Sequence, residues 1–95
     1  MKINYTKNGD IMNVALEGRL DTTTAPEFDS FVKGIEDVKG LNINCEKLVY
    51  LSSAGLRVLL VAHKKFYGEM KLTKVCELVM EVFELTGFAD ILNIE

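Results

Sequence analysis

Leu41, Ile43 and Cys45 alternate with Asn42 and Asn44, and this short run constrains the fold more than any other stretch of the chain. Strict alternation of apolar and polar residues marks a strand with one face buried and the other in water. An amide side chain without a hydrogen-bond partner is costly to bury, so a second helical layer over Asn42 and Asn44 is disfavoured. Every helix of the chain is therefore expected on the face that carries Leu41, Ile43 and Cys45.

The rest of the sheet and its cover follow from local signals. Ile3 and Tyr5 alternate with Asn4 and Thr6, and beyond Asn8-Gly9-Asp10 the alternation resumes with Met12, Val14 and Leu16. This pattern predicts a hairpin, because Asn-Gly favours a turn that matches strand twist. Gly18 ends the second strand. Thr22-Thr23-Thr24-Ala25-Pro26-Glu27 then offers hydroxyl caps, an early proline and an acidic first turn, which predicts a helix from Ala25 to Asp37. Its Phe28, Phe31, Val32 and Ile35 form the buried stripe. Gly40 precedes the Leu41 to Cys45 strand, and Glu46 to Leu51 connects it to a second helix over Leu56 to Tyr67. Ser53 is the expected N-cap, Leu56, Leu59, Leu60, His63 and Tyr67 the expected apolar face, and Gly68 the stop. Met70, Leu72 and Val75 suggest a short strand. A third helix starts near Glu77, turns Leu78, Val79, Val82 and Phe83 inward and stops at Thr86-Gly87; Ile91, Leu92 and Ile94 close the chain as a strand.

The order is β-β-α-β-α-β-α-β, an α/β chain in which strands alternating with helices are joined by right-handed parallel crossovers. The N-terminal hairpin makes the sheet mixed. With 95 residues, of which 48% are apolar, the chain is one domain spanning 1–95 that can fill a single core without a metal or disulfide staple.

Several function classes are disfavoured. Lysines and arginines number 11 against 14 acidic residues, a net charge of −3, so there is no basic footprint for nucleic acid. The longest apolar run is the five residues Val58 to Ala62, far from the roughly 20 that span a bilayer, so no membrane insertion is expected. Met1 to Tyr5 lacks an apolar secretory core, so a cytoplasmic, reducing location is expected. Cys45 and Cys76 stand alone in sequence, with one histidine in the chain; they make neither a zinc set nor a redox pair and read as small apolar residues. Catalysis finds little material. His63 sits ten residues beyond Ser53, about 15 Å along a helix, too far to act as its base. No phosphate-binding glycine loop or nucleophile elbow is present. No enzyme activity and no cofactor are expected.

The informative stretch is Val49-Tyr50-Leu51-Ser52-Ser53-Ala54-Gly55-Leu56-Arg57-Val58-Leu59-Leu60. It resembles the signature loop of the STAS domain in bacterial anti-sigma factor antagonists, also called anti-anti-sigma factors. There an apolar pair is followed by Asp or Ser, the phosphorylated Ser, a small residue, Gly and an aliphatic helix start. Ser53 falls on the phosphorylated position, Ser52 on the one before it, where many phosphorylated members carry Asp, and Gly55 on the motif glycine. Gly18-Arg19-Leu20-Asp21 resembles the family's Gly-x-Leu-Asp, and Val82-Phe83-Glu84-Leu85-Thr86-Gly87-Phe88 its helix end.

The resemblance implies a binding module and phosphoprotein that engages an anti-sigma factor of the serine-kinase type, is phosphorylated on Ser53, is reset by a PP2C-type phosphatase and thereby takes part in transcription regulation through protein–protein interaction. It implies a partner surface of Asp21, Thr22, Thr23, Ser52, Ser53, Ala54, Gly55 and Arg57. Each residue also has a plain structural reading: Ser53 as a helix cap, Asp21 as a turn former, Arg57 as part of a solvated helix face. The alternative function is a STAS accessory subunit of an ABC transport system of the phospholipid type. Nucleotide binding by the domain itself is a weaker one.

Overall fold

A computed structural model describes residues 1–95. Strand β1 (Lys2–Asn8) turns back into β2 (Ile11–Leu20) through a two-residue loop, Gly9-Asp10, in which Gly9 takes a left-handed φ of 64°. Asn8 itself still pairs, with Ile11. The chain continues through α1 (Ala25–Lys33), β3 (Gly40–Leu51), α2 (Ser53–Lys65), β4 (Met70–Thr73), α3 (Glu77–Thr86), a 3-10 turn (Phe88–Asp90) and β5 (Asn93–Ile94).

The sheet has five strands in the order β1-β2-β3-β4-β5. β1 and β2 are antiparallel, and every later pair is parallel. Each parallel strand is thus added beside its predecessor, always in the same direction across the sheet. Right-handed crossovers that advance one way all pass over the same face, which puts α1, α2 and α3 on one side. Met12, Val14 and Leu16 of β2, Leu41, Ile43 and Cys45 of β3, and Met70 and Leu72 of β4 are buried there with Phe28, Val32, Leu56, Leu59, Ala62, Val79 and Phe83 of the helices. On the wet face the Asn42 amide donates to Asn13 Oδ1 at 3.3 Å, and Asn44 Oδ1 accepts from the Glu46 amide at 2.9 Å. The asparagines satisfy one another and their neighbours without a covering layer, as their alternation required.

The element boundaries differ from the sequence reading in informative places. Helix α1 ends at Lys33 rather than Asp37: its C-cap is Gly34, the residue type that continues a helix least well after proline, and Asp37 beyond it lies at φ 61°, a left-handed conformation outside the α-helix. Ile35 reaches the core from the loop instead. Strand β3 runs on through Leu51 where a connection was expected. Its pairing with β2 slips between Ala15 and Glu17 and again between Gly18 and Arg19, each time with one extra residue in β3. Such bulges reset the in–out alternation, so beyond Cys45 the buried positions fall at Leu48 and Leu51. At the C-cap of α2, Phe66 takes the buried place assigned to Tyr67, which is 94% exposed. Leu78, expected inside, is exposed on α3; Val75 lies outside β4; and β5 comprises only Asn93 and Ile94. No helix is long and apolar enough to cross a membrane.

Candidate functional site

Two loops meet at one end of the sheet. Parallel pairing aligns Leu20 with Leu51, so the chain leaves β2 toward α1 and β3 toward α2 at the same level. The Ser52 amide donates to the Leu20 carbonyl at 2.9 Å and ties the loops together. This contact brings the stretch that begins at Asp21 beside the one that contains Ser52 and Ser53.

The serines divide the work differently from the sequence reading, in which Ser53 capped the helix. Ser52 is the N-cap: its backbone is extended, at φ −99° and ψ 173°, and its hydroxyl oxygen accepts from the Gly55 amide at 3.4 Å. Ser53 already belongs to the helix, as the first residue of α2, and is exposed. Its hydroxyl is not needed for capping. The amides of Ser53 and Ala54 lie in the first turn, where no intrahelical carbonyl is available, and no acidic side chain occupies that turn. An anion on Ser53 would meet these donors and the positive end of the helix dipole.

Gly55 is buried beneath this turn, so it is a packing residue rather than a contact residue. A Cβ at that position would stand 2.7 Å from Leu20 Cγ, 2.8 Å from Leu51 Cδ1 and 3.0 Å from the Leu20 carbonyl oxygen. Only a residue without a side chain lets α2 start this close to the ends of β2 and β3.

The Asp21 loop is locked by its own hydrogen bonds. Asp21 Oδ1 accepts from the Thr23 hydroxyl at 2.7 Å and from the Thr23 and Thr24 amides at 2.9 and 3.2 Å. The Thr24 hydroxyl donates to the Arg19 carbonyl at 2.8 Å and accepts from the Asp21 amide at 2.9 Å. Thr24 therefore braces the turn instead of capping α1 with its side chain. The Thr23 hydroxyl, helped by the two amides, lowers the Asp21 pKa to about 2 against the opposing effect of burial. Asp21 is a fixed carboxylate at physiological pH.

Thr22, Ala54 and Arg57 line a groove of about 360 Å³ between α1 and α2 with Pro26, Val58 and Val61. Of the residues singled out in the sequence, Thr22, Ala54 and Arg57 thus line one groove, Asp21, Thr23, Ser52 and Ser53 lie on the two loops tied together between Leu20 and Ser52, and Gly55 is buried underneath. Arg19 and Tyr50 belong beside them. The Arg19 guanidinium lies 4.0 Å over the Tyr50 ring, and its Nε stands 3.5 Å from Asp21 Oδ2. Both residues fell in quoted motifs, but only the bulged register that pairs Arg19 with Tyr50 brings them together.

His63 is half-buried on α2, and Cys45 lies in the core, where burial, reinforced by Cys76, pushes its thiol up to about 12.

The model of the STAS domain family matches residues 2–95. The chain belongs to the STAS domain family. A putative anti-sigma factor antagonist, BtrV of Bordetella bronchiseptica, is 32% identical over 97 residues, covering 96% of this chain and 83% of that protein. Among solved structures, an anti-sigma factor antagonist from Mycobacterium paratuberculosis superposes with a TM-score of 0.87 at 18% identity, over 98% of this STAS domain and 83% of that chain. The anti-sigma factor antagonist SpoIIAA in its unphosphorylated form gives 0.83 at 18% identity, over 99% and 88% of the two chains. At these identities the structural likeness concerns the STAS fold, and the element order and one-sided mixed sheet agree with it.

Proposed function

We propose that this STAS domain is an anti-sigma factor antagonist: a binding module that holds an anti-sigma factor of the serine-kinase type while Ser53 is unmodified and releases it once Ser53 is phosphorylated. In this reading the chain is substrate rather than enzyme, a PP2C-type phosphatase restores the binding form, and the exchange regulates sigma-factor-dependent transcription in the cytoplasm. The name carried by the 32% identical relative supports the general role.

The observation that carries the switch is the division between the serines. Ser52 holds the cap, leaving Ser53 as an exposed hydroxyl on the first turn of α2. Phosphate there adds about −1.5 to −2 charges at neutral pH. It meets free amides instead of breaking a cap, so the fold persists while the charge of the docking surface changes. Asp21, Thr22, Thr23, Ser52, Ala54 and Arg57 form the remainder of that surface, and an unpaired charge brought into it on docking is penalised.

The test is calorimetric titration of the wild type and Ser53→Glu against the serine-kinase-type anti-sigma factor of the same organism. Ser53→Glu is expected to bind more weakly by about 1 kcal/mol or more, roughly five-fold, with an unchanged melting temperature. Full binding by Ser53→Glu overturns the switch.

A further inference from the structure

Helix α3 carries a surface that the Ser53 loop does not use. Leu78 is 57% and Leu85 81% exposed, and Val82 between them is half-buried. At 3.6 residues per turn these three side chains fall within an arc of about 60°. Glu77, Glu81 and Glu84 repeat the same four-then-three spacing and form a ridge alongside the stripe. All three glutamates are exposed, and none takes part in an ion pair. The other side of the helix is fixed in the core by Val79 and Phe83, and α3 has no basic residue of its own.

We propose that this face of α3 docks a basic amphipathic helix of a partner protein, its aliphatic side chains on Leu78, Val82 and Leu85 and its lysines or arginines on Glu77, Glu81 and Glu84. The apolar stripe alone would not choose an occupant; the unpaired glutamates do, by charge complementarity. They also argue against a second copy, since antiparallel pairing of two α3 stripes sets one glutamate ridge against the other. The stripe extends about 10 Å along the axis, a footprint of three side chains against the roughly 20–30 residues a side of a standard interface, so the contact is a weak, transient one. The inference is independent of the Ser53 reading.

The experiment titrates isotope-labelled full chain with two synthetic helical peptides that share one leucine face, one flanked by lysines and the other by glutamates, and follows backbone amides by NMR. The lysine peptide is expected to shift the amides from Leu78 to Leu85. Its affinity should fall about ten-fold in the double variant Glu81→Lys with Glu84→Lys, and further in Leu78→Ser with Leu85→Ser. Binding by Ser53→Glu should match the wild type, and the glutamate peptide should leave α3 unmoved. Equal binding of both peptides, shifts confined to other elements, or undiminished affinity in the charge-reversed variant overturns the proposal. Movement of the α3 amides with protein concentration alone, in the absence of peptide, also overturns it in favour of a second copy. The glutamates are exposed, so the charge-reversed chain keeps its fold and remains a valid arm even if the serine variants are destabilised.

Discussion

The amide of Ser52 donates to the carbonyl of Leu20 across 2.9 Å, and through this bond the strand end before Asp21 positions the serine that caps α2. One turn further, Gly55 packs on Leu20 and Leu51. The candidate site is therefore built on the paired ends of β2 and β3, two inner strands of the sheet, rather than on free loops.

Gly55→Ala should expose this dependence. Its methyl would sit 2.7 Å from Leu20 Cγ and 3.0 Å from the Leu20 carbonyl oxygen, and the carbonyl is fixed by the β2–β3 junction. Overpacking of this kind costs about 2–3 kcal/mol, against about 1 kcal/mol gained from alanine's helix propensity. Chemical denaturation should therefore find a net loss of about 1–2 kcal/mol; stability equal to or above the wild type would show that the junction yields freely.

The two serines should separate cleanly in stability measurements. Ser52→Ala removes the hydroxyl that accepts from Gly55 and should cost about 0.5–1 kcal/mol, the lower part of the N-cap range because the bond is long. Ser53→Ala changes an exposed first-turn residue and should stay within about 0.5 kcal/mol of the wild type. Equal losses at the two positions would mean that the cap is shared.

These outcomes also mark what was legible in the sequence. The alternation around Asn42 and Asn44 was enough to place all three helices on one face, because a period of two admits no other solution for uncharged amides. The Ser52-Ser53-Ala54-Gly55 run located the site, yet spacing alone assigned the cap to Ser53; a one-residue difference in where a helix begins depends on the Leu20–Ser52 bond, which joins residues far apart in sequence. The Arg19–Tyr50–Asp21 contact was illegible for the same reason, since it needs the two bulges in β3. Leu78 was turned inward by periodicity, but the fully buried positions of α3 are only Val79 and Phe83, with Met80 and Val82 partly buried beside them, and the side of a helix that a sheet covers is set by tertiary packing, which periodicity does not fix to the residue.

Asp21 should titrate abnormally. Donation by the Thr23 hydroxyl, then by the Thr23 and Thr24 amides, holds its pKa near 2 instead of 3.8. A carboxylate with a lowered folded-state pKa contributes stability that is fully present above the unfolded value and is lost as pH falls through the folded one, here between 3.8 and about 2. A carboxyl-carbon NMR titration should place the wild-type midpoint near 2, and Thr23→Val should move it upward. A wild-type midpoint near 3.8 would contradict the locked loop.

Cys45 should resist thiol reagents in the folded chain at pH 8, because burial keeps its pKa near 12 and a thiol reacts as the thiolate. Cys76, only half-buried at the start of α3, should be modified first. Peptide mapping after brief alkylation checks the order, and prior labelling of Cys45 would contradict its place in the core.

The most direct measurement of the central claim is phosphopeptide mapping after incubation of the wild type, Ser52→Ala and Ser53→Ala with the serine-kinase-type anti-sigma factor and ATP. If Ser52 caps α2 and Ser53 is the switch, label appears on Ser53 in the wild type, persists in Ser52→Ala and is absent from Ser53→Ala, which still binds the partner within a few-fold of wild-type affinity. Label on Ser52, or no label on a chain that binds the kinase tightly, would contradict it.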